Sequence, residues 1–204
     1  MVILKGNSPY GATPIDDYSG LKLKHINTIK ELYEAEFLNI TSSTSKYLLK
    51  PPSNKSFMDR IYLFKIHKTM FSQVWDWAGK KRISNKSVGI DKFQIDIEIV
   101  KLIQDFEFWE SSNMDTIEVS SRIHHKLVYI HPFENGNGRW ARLVTNIYLK
   151  QKLNRIVYWP EQELYINNVF RKRYIHSLQS ADHGNFADLV SIHQELLEDI
   201  IQFT

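Results

Sequence analysis

From Ile61 to Ile147 the apolar residues of this chain return every three or four positions. Ile61, Phe64, His67, Met70, Phe71, Val74 and Trp75 share one helical face over about 56–78. Ile97, Val100, Ile103, Phe106 and Trp109 share a second face. Ile117, Ile123, Leu127 and Val128 share a third, and Leu143 and Ile147 point inward between Arg139 and Lys152. A stripe of period 3.6 is stable only when buried against another element, so the pattern predicts helices packed on helices. Further helices are expected at 27–39, 162–181 and 185–203, the last two divided by the turn signal Asp182-His183-Gly184-Asn185. The period fails over 80–95. There Asn85, Gly89 and the alternation around Val88 and Ile90 predict a short hairpin or flap. Residues 41–53 read as a polar connection closed by Pro51 and Pro52, and residues 1–20 as irregular. The expectation is an all-α domain with one small β flap, divided into an N-terminal arm with a short helix (1–50) and a main domain (51–204).

Composition narrows what such a bundle can do. The 204 residues suit one domain. No run approaches about 18 apolar residues, so no membrane-spanning helix is expected. The opening residues lack the marks of a secretion signal. There is no cysteine, which excludes disulfide scaffolds, cysteine zinc sites, iron–sulfur clusters and thiol catalysis, and suits a reducing cytoplasm. The net charge of +3 is too small to argue for nucleic acid without a clustered patch. Arg171-Lys172-Arg173 reads as a solvated face. His124 and His125 are adjacent and face different sides of a helix, so they do not make a metal pair. His67 reads as a hydrogen-bonded core residue.

The chemistry concentrates in His131-Pro132-Phe133-Glu134-Asn135-Gly136-Asn137-Gly138-Arg139-Trp140-Ala141-Arg142. A helix ends at Ile130, and Pro132 keeps it from continuing. Gly136, Asn137 and Gly138 then form a loop at the start of a new helix. Its backbone N–H groups, at the positive end of the helix dipole, make an anion site. Arg139 and Arg142 lie three apart on that helix and share a face. Two guanidinium forks beside such a loop suit a polyphosphate. A histidine next to bound phosphate suits general-base work on an attacking hydroxyl. Each feature alone has a plain structural reading, but all fall within twelve residues.

The segment closely resembles the Fic family motif through His131, Phe133, Gly136, Asn137, Gly138, Arg139 and Arg142. Trp77-Ala78-Gly79 followed by Arg82 is similar to the family's helix end before its flap. Tyr174 to Leu189 is similar to its closing helices. Ala12-Thr13-Pro14-Ile15-Asp16 is similar to the Fic subgroup called mobile mystery protein B. The phosphate-transferring Doc branch lacks Gly-Asn-Gly-Arg, and the chain does not resemble it. The resemblance implies six to eight helices with a β-hairpin flap. It also implies transfer of AMP from ATP to a Ser, Thr or Tyr hydroxyl of a protein. By position, His131 is then the general base and Gly136, Asn137 and Gly138 form the anion hole. Arg139 and Arg142 hold the β- and γ-phosphates, and Phe133 anchors the loop. The flap, about 83–95, receives an extended target segment. Where the family carries an acid for Mg²⁺, this chain has Asn135, a weaker ligand for a hard cation. The family's inhibitory Ser/Thr-x-x-x-Glu pattern has one counterpart, Ser191 to Glu195; otherwise a separate partner protein inhibits, or nothing does. The other reading left open is a non-catalytic or differently specific nucleotide-binding module.

Overall fold

The structure, a computed structural model, describes residues 18–52, 55–164 and 166–199. The stretch Ala12–Asp16 and the end of the expected last helix lie outside these residues.

Helix α1 (Ile29–Leu49) starts on a capping box. Thr28 Oγ1 accepts the Glu31 N–H at 3.2 Å, and the Glu31 carboxylate accepts the Thr28 N–H at 3.0 Å. The polar run expected to be a connection remains helical to Leu49. Its hydroxyls find partners on the next helix: Ser43 Oγ lies 2.9 Å from Thr69 O, and Tyr47 OH lies 3.0 Å from Thr69 Oγ1. A single 3-10 turn (Lys55–Met58) leads into α2 (Arg60–Phe71), capped by Asp59, whose carboxylate accepts the Tyr62 N–H at 2.8 Å. This helix is shorter than its apolar stripe. Trp75 leaves the helix and bridges Leu21 in an isolated antiparallel pair.

Helices α3 (Ile95–Ser111), α4 (Thr116–Ile130) and α5 (Asn137–Leu153) follow as the period predicts. Asp115 caps α4 by accepting the N–H groups of Ile117 and Glu118. Helix α5 is the axis of the bundle. Trp140, Ala141, Val144, Ile147 and Leu149 are fully enclosed, and Ile123, Leu127 and Ile130 of α4 are enclosed beside them. Burial of several large side chains, each worth roughly 1.5–3 kcal/mol, fixes the two helices around which the others pack.

Strand β1 (Arg155–Val157), helices α6 (Glu161–Leu164), α7 (Val169–Asp182) and α8 (Ala187–Glu195), and strand β2 (Leu197–Asp199) complete the chain. The single helix expected over 162–181 is thus two, and the one expected over 185–203 ends at Glu195. After Glu195 the backbone pairs antiparallel with β1, Arg155 opposite Asp199 and Val157 opposite Leu197. The described residues therefore hold eight helices and one two-stranded sheet. No described helix is long and apolar enough to cross a membrane.

The segment expected to form the β flap carries no ladder. Its carbonyls are taken by side chains: Arg82 Nη1 donates to Ser84 O at 2.7 Å, Arg82 Nη2 donates to Ile90 O, and Lys92 Nζ donates to Ile83 O at 2.7 Å. A guanidinium at the root of the loop does the cross-linking that strand pairing would otherwise do.

Candidate active site

His131 is the left-handed residue that ends α4, with φ 51° and ψ 57°. Its N–H closes the last turn on Leu127 O, and Pro132 blocks another. The ring folds back on its own helix, where Nδ1–H donates to Val128 O at 3.2 Å. A proton on Nδ1 puts the lone pair on Nε2. His131 is 8% exposed. Burial pushes its pKa down to about 4; the Val128 bond opposes this, and the cations Arg82 and Lys86 add to it. The imidazole is neutral at neutral pH.

The 80–94 loop lies against this residue. Arg82 Nε donates to His131 O at 2.7 Å, and Arg82 N–H donates to Pro132 O at 2.9 Å. Lys86 pairs with Glu134. Gly89, at φ 96°, passes so close that a Cβ there would sit 2.3 Å from His131 Cβ. Ile83 and Phe93 are exposed on the outer side of the loop.

The loop between α4 and α5 is braced from below. Phe133 is fully buried and stacks on His67 with ring centres 3.6 Å apart. His67 Nε2–H donates to Asn135 O at 3.0 Å, and His67 Nδ1 accepts the Gly79 N–H at 3.0 Å. Burial pushes the His67 pKa down to about 3. Asn137 bonds Phe133 at both ends: Oδ1 accepts its N–H at 2.9 Å and Nδ2 donates to its carbonyl at 3.0 Å. The Asn137 side chain therefore shapes the loop. Gly136 turns at φ 77°, and a Cβ there would strike the Phe71 ring at 2.4 Å. The N–H groups of the first α5 turn have no intrahelical acceptor and mark the positive end of that helix.

The two arginines differ in their surroundings. Arg139 Nη1 donates to Glu36 Oε2 at 2.6 Å, and Arg139 Nη2 lies 3.3 Å from Asn135 Oδ1. Glu36 is 1% exposed, and its other oxygen accepts Trp75 Nε1–H at 2.6 Å. Arg142 makes a two-point pair with Glu161, Nε to Oε1 at 2.8 Å and Nη2 to Oε2 at 2.7 Å. Its Nη1 would lie 3.3 Å from a Cβ on Gly138, so the fork is beside the motif loop.

Two expected roles do not match this geometry. Glu195 is turned to Arg173, with Oε2 2.6 Å from Nη1, and Ser191 donates to the same carboxylate. That pairing holds its pKa down at about 2. The carboxylate on Arg142 is Glu161 instead. Asn135 Oδ1 already accepts the Gly136 N–H at 2.7 Å and faces the Arg139 guanidinium. Glu134 is engaged by Lys86. These residues do not fit a resident Mg²⁺ shell, because the oxygens offered are neutral or already facing cations.

Of the residues the motif names, His131 ends α4, Gly136 is the cap of α5, and Asn137, Gly138, Arg139 and Arg142 lie in its first turns. Glu36 and Glu161 were missed. They sit 103 and 19 positions from the arginines they bind, and no local pattern marks them.

Residues 57–149 match the Fic/DOC family. Protein adenylyltransferase Fic of Drosophila ananassae is 35% identical over 97 residues, 46% of this chain and 18% of that protein. The Drosophila melanogaster protein of the same name is 34% identical over the same share. The chain spans about a fifth of the length of these relatives. The BepC protein of Bartonella tribocorum, solved with bound AMPPNP, superposes with a TM-score of 0.68 at 19% identity, covering 95% of this chain and 99% of that one. A Bartonella quintana Fic domain with bound ADP gives 0.67 at 20% identity, covering 95% and 97%. At these identities the likeness is one of fold.

Proposed function

The chain carries a Fic/DOC family domain, and we propose that it transfers AMP from ATP to a Ser, Thr or Tyr hydroxyl of a target protein. The observation that carries this reading is the neutral His131, whose lone pair is on Nε2, beside the positive end of α5. The name borne by the Drosophila relatives and the nucleotides bound to the Bartonella domains support it.

In this reaction His131 Nε2 takes the proton of the target hydroxyl as its oxygen attacks the α-phosphorus. The bond from that phosphorus to the bridging oxygen breaks, and pyrophosphate leaves. The first-turn N–H groups of α5 receive the phosphate oxygens, where developing charge meets fixed dipoles. Arg139, fixed by Glu36, sets positive charge at the β-phosphate, and Arg142 reaches the γ-phosphate once Glu161 yields. Mg²⁺ belongs to this reading as the counter-ion that the nucleotide brings, held by phosphate and water. The target segment lies on the outer side of the 80–94 loop, against Ile83 and Phe93. A reducing compartment supplied with ATP, such as the cytoplasm, suits a chain without cysteine.

The test is incubation of the protein with a cell lysate and ATP labelled separately at the α- and γ-positions. Protein label from the α-position alone is expected. Label from the γ-position would mean phosphoryl transfer. ATP binding without label would favour the second reading, a nucleotide-binding module, to which the neutral Asn135 lends support. His131→Ala is expected to cost roughly 10²–10⁴-fold in transfer rate with ATP affinity within a few-fold.

A further inference from the structure

Behind Arg142 lies a buried polar cluster that the proposed chemistry does not use. Ser120 and His124 come from α4, Tyr174 from α7 and His193 from α8, and all four are buried. His124 Nε2 lies 3.0 Å from the Tyr174 hydroxyl, and His124 Nδ1 lies 3.0 Å from His193 Nε2. His193 Nδ1 lies 2.9 Å from Ser120 Oγ, which is 2.8 Å from Ile117 O. At the outer end the Arg142 guanidinium and the Tyr174 ring pack on the same Trp159, 5.9 and 5.8 Å from its ring centre, and a side-chain hydrogen bond to Arg142 opposes the rise that burial gives the Tyr174 pKa. Trp159 presses edge-on against His124 and His193, with ring centres 5.0 and 5.3 Å away.

We infer that Tyr174, His124 and His193 are positioning residues for Arg142, acting through a hydrogen-bond chain that runs one way from its guanidinium to a helix carbonyl. Direction follows from donor and acceptor counting. A guanidinium only donates, so the Tyr174 oxygen accepts from Arg142 and the Tyr174 proton goes to His124 Nε2. His124 then carries its proton on Nδ1 and gives it to His193 Nε2. His193 likewise carries its proton on Nδ1 and gives it to Ser120 Oγ, and the Ser120 proton ends on Ile117 O. Every link has one donor and one acceptor. The opposite direction would aim the Tyr174 proton at a cation. Burial favours the neutral form of both imidazoles, as this count requires.

The chain gives Arg142 two unlike partners. Glu161 is half-exposed and sits on a four-residue helix, so an incoming phosphate can displace it. Tyr174 is enclosed and tied to three helices, so it stays. The arginine is thereby held in place while its outer partner is exchanged. This inference rests on the proposed role of Arg142 at the γ-phosphate, but the direction of the chain does not.

Two measurements test it on the full chain. Nitrogen-15 spectra of histidine-labelled protein at neutral pH report which ring nitrogen bears the proton. His124 and His193 are both expected to be protonated on Nδ1, and an Nε2–H form of either overturns the chain, whatever the activity. Tyr174→Phe then removes one hydroxyl and little volume. One lost hydrogen bond of about 1.4 kcal/mol corresponds to tenfold. The variant is expected to raise KM for ATP about tenfold, with kcat within about twofold and ADP affinity within about twofold. Equal losses for ATP and ADP, or none for either, overturn the positioning role. Absence of transfer by the unaltered protein would instead count against the proposed function, leaving the nitrogen-15 result to judge the chain.

Discussion

An amide at position 135 is tolerated because its oxygen is already employed. Asn135 Oδ1 accepts the Gly136 N–H and faces Arg139, and a carboxylate could keep both contacts while leaving its second oxygen for a cation. Asn135→Asp is therefore expected to shift a Mg²⁺ titration of transfer to lower concentration at fixed ATP. An unshifted titration with weaker ATP binding would place residue 135 against phosphate. At this scale the site was legible wherever partners are neighbours in sequence. His131 through Arg142 fall on one loop and the first two turns of one helix, so spacing alone aligns them. What spacing cannot convey is which remote side chains neutralise the arginines. Glu36, Glu161 and Tyr174 carry no local mark, and Glu195 matched a pattern yet faces another arginine.

Among the elements, the 80–94 loop and α6 carry the sharpest consequences. The loop is tied together by Arg82, which bonds Ser84 O, Ile90 O and His131 O at once. Arg82→Met leaves three carbonyls without that donor. It is expected to lower transfer at least tenfold while ATP affinity measured by calorimetry changes little, since the loop lies against His131. Undiminished transfer would mean that the loop holds its shape without the guanidinium. On α6, Glu161 closes the fork of Arg142 from a half-exposed position. Glu161→Gln is expected to tighten ATP by about 2- to 5-fold and ADP less, the range of a partly exposed ion pair. The helices themselves were legible where an apolar stripe ran against the core, as in α3, α4 and α5. They were misread where tertiary partners overrode local pattern. Thr69 lets the serine-rich end of α1 stay helical, and Arg82 replaces the ladder of the expected hairpin.

For the molecule as a whole, five buried histidines set the acid limit of stability. Burial lowers the pKa of His67 and His193 to about 3 and of His131 to about 4, and lowers those of His124 and His125 too. Unfolded, each titrates near 6.5. Above that pH neither state is protonated and their contribution is complete. Below it the unfolded chain binds protons that the folded one refuses, so stability falls as pH drops from about 6.5 toward 4, by up to about 1.4 kcal/mol per pH unit for each histidine. Urea midpoints at pH 7, 6 and 5 should decline steadily, and a flat series would mean that these rings are charged in the native state. One further consequence comes from α1. The segment that matches the Fic/DOC family begins at residue 57, yet Glu36, which neutralises Arg139, lies upstream of it. What is inherited in common and what is electrically self-sufficient thus have different edges. A fusion or recombination that transplanted the shared segment alone would deliver an arginine into a nearly closed site without its counter-charge, at a cost of about 3–5 kcal/mol. To be viable, such a transplant must bring α1 along or find an acid in its new host.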